Sequence, residues 1–236
     1  MDEIFEQAGF TGEYRKESEN FYRQFFGTTA EMLDFFLTVF KINVSDNHPR
    51  QMMNQIRRFI SLANDIELIR PGRDALRILF LRICLESLCF LSGEKDKKIF
   101  FEKFERCVSP EGQQYILDHF SLSHIEPCHV LNKQGQLLFD DCSWYTLTIQ
   151  DFWNITRCVR NIVVHDGDYW SMQLFARDSE FTWLVDITTD EKVISCYRPT
   201  KDQPITYHFE TTLIYEKFVF YFTDGCIQYL KNYLLA

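Results

Sequence analysis

The helical spacing of the apolar residues is the feature that most constrains how the first half of this chain folds. In ESENFYRQFFGTTAEMLDFFLTVFKI (17–42), Phe and Leu recur every three or four residues, with a break expected near Gly27. This spacing gathers apolar side chains on one face of a helix. The same pattern predicts further helices, at 47–69, 73–93, 94–108 and from Pro110 onward. The first half of the chain therefore predicts a set of packed amphipathic helices.

The second half mixes helical and strand patterns. HVLNKQGQLLF (129–139) is typical of a short hairpin, and two strand-like runs, FTWLVDI (181–187) and KVISCYR (192–198), are joined by the polar turn TTDE. Helices are predicted at 148–165 and, as the final element, at 211–235. The expected fold class is mainly α, a helical bundle with a β-hairpin at 181–198 inserted before the last helix.

Length and composition favour one compact unit. The 236 residues include 46% hydrophobic residues and 23 Phe, which is enough material for a real core. No linker or low-complexity tract divides the chain. We expect residues 1–70 to form an N-terminal helical extension packed on a bundle of residues 71–236.

Charge and cysteine usage exclude several classes of protein. A formal net charge of −9 argues against a protein that coats nucleic acid or binds anionic membranes. No window approaches 18 consecutive apolar residues, and MDEIFEQAGF is not a secretory signal, so a membrane role is not expected. The eight Cys lie within apolar segments, as in LRICLESLCFL, which favours a reducing cytoplasm.

The segment RCVRNIVVHDGDYW (157–170) carries the clearest chemical pattern. Arg160 is followed directly by Asn161 and, five positions later, by His165. On a continuous helix five residues turn the chain by roughly 140°, so Arg160 and His165 meet only where the helix ends or loosens. Gly167 supplies such a stop, because glycine accepts the left-handed conformation that follows many helices. These residues suit cleavage of a phosphodiester, with His165 moving a proton and Arg160 holding phosphate oxygens.

This pattern resembles the motif helix of HEPN domains, in which an Arg, a following Asn and a His lie at the end of an apolar helix. The resemblance implies a helical bundle that dimerises, so that two Arg–His sets meet in one cleft. It also implies a metal-independent endoribonuclease that leaves 2′,3′-cyclic phosphate and 5′-OH ends, in a toxin–antitoxin or phage-defence setting. No cofactor is expected. The implied partners are RNA (tRNA among the candidates), a second copy and an antitoxin or other partner protein.

The resemblance also suggests a role for Glu86, a lone acid in the apolar helix LRICLESL. A carboxylate there needs a partner, for which Arg160 and the local Arg82 compete. Arg157 and Asp166 are candidate substrate-binding residues, and Asp166 could also cap the helix or orient His165. Some toxin members carry a Tyr two positions after the His; here Gly167 occupies that position, which puts silencing by modification of that Tyr in doubt.

Four alternatives stay open at this point. Arg160 and His165 could form an ordinary polar helix end, with Arg160 paired to Asp166. The bundle could be a catalytically inactive scaffold or sensor that binds a protein or nucleotide. A metal-dependent phosphodiesterase could use His165, Asp166 and Asp168. A zinc site has the right residue types but lacks a CxxC pair; its candidate ligands are His124, Cys128, His129 and Cys142.

Overall fold

The computed structural model describes residues 5–6, 9–41, 47–126, 145–174, 183–189, 193–194 and 205–235. Over these residues the protein is mainly helical, with one small antiparallel sheet, so the expected mainly α class is confirmed. The α-helices are α1 (Gly12–Tyr22), α2 (Thr29–Lys41), α3 (His48–Ile69), α4 (Asp74–Leu91), α5 (Lys97–Glu105), α6 (Pro110–Asp118), α7 (Ile149–His165) and α8 (Tyr215–Leu235). The strands are β1 (Phe120–Glu126), β2 (Trp183–Thr189) and β3 (Ile205–Thr211).

The predicted break near Gly27 is confirmed and has a local cause. Helix α1 ends at Tyr22 and a 3₁₀ turn covers Arg23–Phe25. Before α2, the Thr28 hydroxyl accepts a hydrogen bond from the Glu31 N–H at 3.2 Å, and the Glu31 carboxylate accepts one from the Thr28 N–H at 3.2 Å. This reciprocal pair satisfies two amides at the start of the helix and fixes where α2 begins.

The first strand of the predicted hairpin is present as β2, whereas most of its second strand, 192–198, lies outside the described residues. β2 pairs antiparallel with β3, and β1 pairs with the other edge of β3, so the order among the described strands is β1-β3-β2. The described part of 192–198, residues 193–194, is not in a strand. Strand β3 was not predicted, although its sequence, ITYHFET, alternates strictly between buried and more exposed positions, as a strand with one face on a core requires.

The last helix was predicted to begin at residue 211, which was wrong because the residues up to Thr211 form strand β3. Residues assigned to the helix from 211 onward include the end of β3 at Thr211, and α8 begins at Tyr215. The Thr211 hydroxyl accepts a hydrogen bond from the Leu213 N–H at 3.0 Å and donates one to the His119 carbonyl at 3.0 Å. These bonds hold the turn between strand and helix. The hairpin predicted at 129–139 lies outside the described residues.

The chain divides into two compact units. The first comprises residues 1–61, 83–108 and 222–236, and the second comprises 62–82 and 109–221. Helices α3, α4 and α8 each contribute residues to both units, so the units do not follow one another along the chain. The boundary expected at residue 70 stays a prediction.

Each unit has an aromatic core. In the second unit, the Phe152 ring of α7 lies 5.3 Å from the Phe120 ring of β1 and 5.5 Å from the Phe218 ring of α8, measured between ring centroids. The core of the first unit includes buried Phe10, Phe36, Tyr22, Phe100 and Phe104. Aromatic contacts of this kind bury large apolar area and stabilise the helices that supply them. None of the described helices is long and apolar enough to cross a membrane.

Candidate functional site

Helix α7, in the second unit, carries the predicted motif. Thr148 caps it: the Thr148 hydroxyl accepts from the Asp151 N–H, and the Asp151 carboxylate accepts from the Thr148 N–H at 3.0 Å. The predicted apolar stripe is largely buried, with Phe152, Ile155 and Val159 fully buried. Burial of this stripe fixes the rotation of the helix and therefore the direction in which its polar residues point.

Arg160 and Asn161 are both half-buried and in direct contact. The Arg160 Nη1 group donates a hydrogen bond to the Asn161 Oδ1 atom at 3.0 Å. The bond restricts the guanidinium, which is planar and presents several donors in one plane. Asn161 therefore orients Arg160, in addition to any contact that its amide makes with a ligand.

His165 is the last residue of α7 and is exposed. The chain then leaves the helix as predicted: the Asp166 N–H donates to the Ile162 carbonyl at 2.9 Å, and Gly167 adopts a φ of +67°. None of the described residues forms a hydrogen bond or ion pair with the His165 imidazole. Both ring nitrogens are therefore available to a ligand that approaches the end of the helix.

The other predicted site residues lie on α7, at its end and on α4. Arg157 is half-buried on α7, and Asp166 is exposed and caps the helix. Asp166 and Arg160 form no ion pair among the described residues. Glu86 is half-buried in the part of α4 that belongs to the first unit. Its pairing with Arg160 stays a prediction.

Of the two predicted metal-ligand sets, the structure describes all the residues of one and a single residue of the other. The ligand atoms of His165, Asp166 and Asp168, all described, do not come together in a cluster. Asp168 instead accepts a hydrogen bond from the Trp170 N–H at 2.8 Å, which closes a tight turn. In the predicted zinc set, His124 lies on β1, and Cys128, His129 and Cys142 lie outside the described residues.

The segment after the motif is held against the start of α4. The Arg73 guanidinium lies 3.2 Å from the centroid of the Trp170 ring, and the buried Asp74 carboxylate accepts a hydrogen bond from the Leu174 N–H at 2.7 Å. A cation over the face of a Trp ring is a favourable contact. Residues 170–174 therefore have a defined position in the second unit, a few residues beyond His165.

A buried network supports this attachment. Asp74 accepts a second hydrogen bond, from the Arg77 Nη1 group at 2.9 Å, and the Arg77 guanidinium lies 3.1 Å from the Tyr215 ring centroid. Burial raises the pKa of Asp74, although its bonds to Leu174 and Arg77 act in the opposite direction. Burial also raises the pKa of Tyr215 well above that of a free tyrosine, so its phenol stays neutral and donates to Asn64.

A pocket of about 400 Å³ lies beside the same segment, lined by Arg70, Arg73, Leu76 and Tyr169. Two guanidinium groups can bind phosphate oxygens, and the exposed aromatic side chains of Tyr169 and Trp170 can stack on bases. Sequence reasoning missed this pocket. The signal was present in RPGRD (70–74), where two arginines flank a turn, but nothing in the sequence shows that this turn faces residues 169–170.

The cysteines fit the predicted structural role. The described cysteines, Cys84, Cys89, Cys107, Cys158 and Cys226, are buried and form no disulfide with one another. Burial raises the pKa of the Cys89, Cys107 and Cys226 thiols, which disfavours the reactive thiolate. Cys158 lies between Arg157 and Arg160 in sequence, yet its side chain is buried in the core, so a nucleophilic role is not supported.

Comparisons with protein-family models, with curated proteins and with solved structures found no match.

Proposed function

We propose that this protein is a metal-independent endoribonuclease of the HEPN type. The observation that carries the proposal is the end of α7, where Arg160 is oriented by Asn161 and an exposed His165 follows at the point where the helix stops. The arrangement supplies a fixed cation and a titratable imidazole within one turn and a half of helix. Those are the two groups that transfer of an RNA phosphate requires.

The reaction is an attack of the ribose 2′-oxygen on the adjacent phosphorus. The bond between phosphorus and the 5′-oxygen breaks, which leaves a 2′,3′-cyclic phosphate and a 5′-OH end. In this proposal His165 takes the proton from the 2′-OH or gives one to the leaving 5′-oxygen. Arg160 neutralises the charge that develops on the phosphate oxygens, Asn161 holds Arg160 and the phosphate, and Glu86 anchors Arg160.

One imidazole cannot serve as base and acid in the same step, so the proposal includes a second copy. Two Arg160–His165 sets in one cleft supply both proton transfers. The exposed side chains of Val164 and Trp170, at 52% and 58%, support an interface beside the motif, because large apolar groups at these positions gain from being covered. An antitoxin or other partner protein could cover the same surface in the inactive state.

The substrate in this proposal is single-stranded or looped RNA, with tRNA among the candidates. The pocket of Arg70, Arg73 and Tyr169 offers phosphate and base contacts near the motif segment. The net charge of −9 disfavours binding along an extended nucleic acid and favours recognition of a short segment. Toxin–antitoxin or antiviral defence systems are the proposed biological setting.

The test compares cleavage of total RNA by the wild type, Arg160→Ala and His165→Ala. Each variant is expected to lose about 10²–10⁴-fold in rate while keeping the dimeric sedimentation of the wild type, because neither side chain belongs to the core. Arg23→Ala and His48→Ala are matched controls, since each removes an exposed residue of the same type outside α7. Wild-type rates for both Arg160→Ala and His165→Ala would contradict the proposal.

A second candidate is a catalytically inactive scaffold or sensor with the same dimer. The acidic net charge favours it, because an enzyme that must approach a polyanion gains from a basic surface. The same assay separates the two candidates. A wild-type protein that is folded, dimeric and binds RNA or nucleotide without cleaving any RNA would support the scaffold.

A further inference from the structure

A cluster of imidazole and carboxylate groups lies on the three-stranded sheet, on residues that the proposed nuclease does not use. His124 and Glu126 belong to β1, His208 belongs to the central strand β3, and Asp186 belongs to β2. The register pairs His208 with His124 on one side and with Asp186 on the other. The three residues therefore form one row across the sheet, and Glu126 follows two residues after His124 on the same strand.

A β-bulge in β1 produces this row. The pairing shifts by one residue between Leu122 and His124, so that Ser123 is the extra residue. Without the shift, His124 would lie on the same face as buried Leu122, because side chains alternate along a strand. The bulge instead buries Ile125 and places His124 and Glu126 on the outer face. Bulges commonly re-aim side chains in this way at functional sites.

The donor atoms converge without bonding to one another. The Glu126 carboxylate oxygens lie 3.6 Å from the His124 Nε2 atom and 3.7 Å from the His208 Nε2 atom, both beyond hydrogen-bonding distance. The three ligand atoms all lie within 4.8 Å of one another. A tetrahedral zinc site, with bonds of about 2.0–2.1 Å, places its ligand atoms roughly 3.4 Å apart. The His124 and His208 rings are stacked, with centroids 3.9 Å apart and an interplanar angle of 10°, so the half-buried His124 ring must turn out of the stack for both Nε2 atoms to face one ion.

Asp186 prepares His208 to act as a ligand. The His208 Nδ1 atom lies 2.7 Å from an Asp186 carboxylate oxygen, which fixes the ring proton on Nδ1. The Nε2 lone pair then points toward Glu126, and this Nε2 atom is buried with no hydrogen-bond partner among the described residues. Metal-binding histidines are held by a carboxylate in the same manner. The Nε2 atom has only the 3.7 Å contact with Glu126, which leaves it open to a metal ion.

We propose that His124, Glu126 and His208 bind a divalent transition-metal ion, with Asp186 as the positioning residue for His208. Two imidazoles and one carboxylate match the preference of Zn²⁺, which also takes water in a fourth position. The proposal does not rest on the nuclease assignment, because none of these residues belongs to α7. It differs from the zinc set considered in the sequence, with which it shares His124 alone.

The test is calorimetric titration of the full-length, chelator-stripped protein with ZnCl₂. The wild type is expected to bind one ion per chain at this site, and His208→Ala to lose that binding. Asp186→Asn is expected to weaken affinity about 10–100-fold, as changes to groups that orient a metal ligand do. Glu126→Gln is expected to weaken it at least tenfold without affecting the fold, because that side chain is 64% exposed.

Two variants control for other effects. Glu210→Gln removes a carboxylate from the same outer face of β3 and should bind Zn²⁺ as the wild type does. His165→Ala should also bind normally, so that failure of the metal proposal and failure of the nuclease proposal are distinguished. Absence of zinc binding by the wild type would overturn the inference, as would unchanged affinity in folded Asp186→Asn and Glu126→Gln.

Discussion

At the scale of single residues, Asp74 has the largest structural role near the candidate site. Its buried carboxylate accepts hydrogen bonds from the Leu174 N–H and from Arg77, and so ties the segment beyond the motif to α4. Arg77 also lies 3.5 Å from a Glu67 carboxylate oxygen, but Glu67 is half exposed. Asp74 is buried and Glu67 is half exposed, yet both contact Arg77. Replacing each acid in turn therefore compares a buried contact with an exposed one.

Asp74→Ala is expected to lower the free energy of unfolding by about 3–5 kcal/mol, because it leaves the buried Leu174 N–H without a partner and the buried Arg77 guanidinium with only the half-exposed Glu67 as its acid. Glu67→Ala is expected to cost less than about 1 kcal/mol, since water replaces its contact. Urea unfolding followed by circular dichroism measures both changes. Equal losses in the two variants would show that the buried network does not hold this region.

At the scale of elements, α7 was predicted closely because its signals are local. Thr148 caps it, the apolar stripe sets its buried face, and Gly167 ends it, and all three can be recognised from neighbouring residues. Strand β3 was missed because ITYHFET was not recognised as a strand and its first residues were not assigned to any element. The bulge at Ser123 could not be predicted from the sequence either, because it depends on pairing with residues more than 80 positions away.

The end of α7 provides a prediction at this scale. Gly167→Ala is expected to destabilise the protein by about 1 kcal/mol, because alanine is strained at a φ of +67°. No atom lies within 4 Å of the position of an added Cβ, so the cost is one of backbone conformation rather than packing. Gly167→Asn should cost less, since Asn tolerates this conformation. Thermal unfolding compares the two, and a larger loss for Asn would contradict the backbone explanation.

At the scale of the whole molecule, the chain forms two compact units built from interleaved segments. The boundary expected at residue 70 rests on the HEPN resemblance, whose minimal bundle does not account for the first 70 residues, and it stays a prediction. Contacts between distant segments decide which segments form each compact unit, and the spacing of residues along the chain does not reveal those contacts. The Arg70 and Tyr169 pocket illustrates this, since its two sides are about a hundred residues apart in sequence.

The central claim is that the end of α7 cleaves RNA without a metal ion. The measurement that tests it most directly is end-group analysis of total RNA and tRNA incubated with wild type or His165→Ala in EDTA. We expect 2′,3′-cyclic phosphate and 5′-OH ends from the wild type and no cleavage by His165→Ala. Fragments with 3′-OH and 5′-phosphate ends, or cleavage that EDTA abolishes, would contradict it.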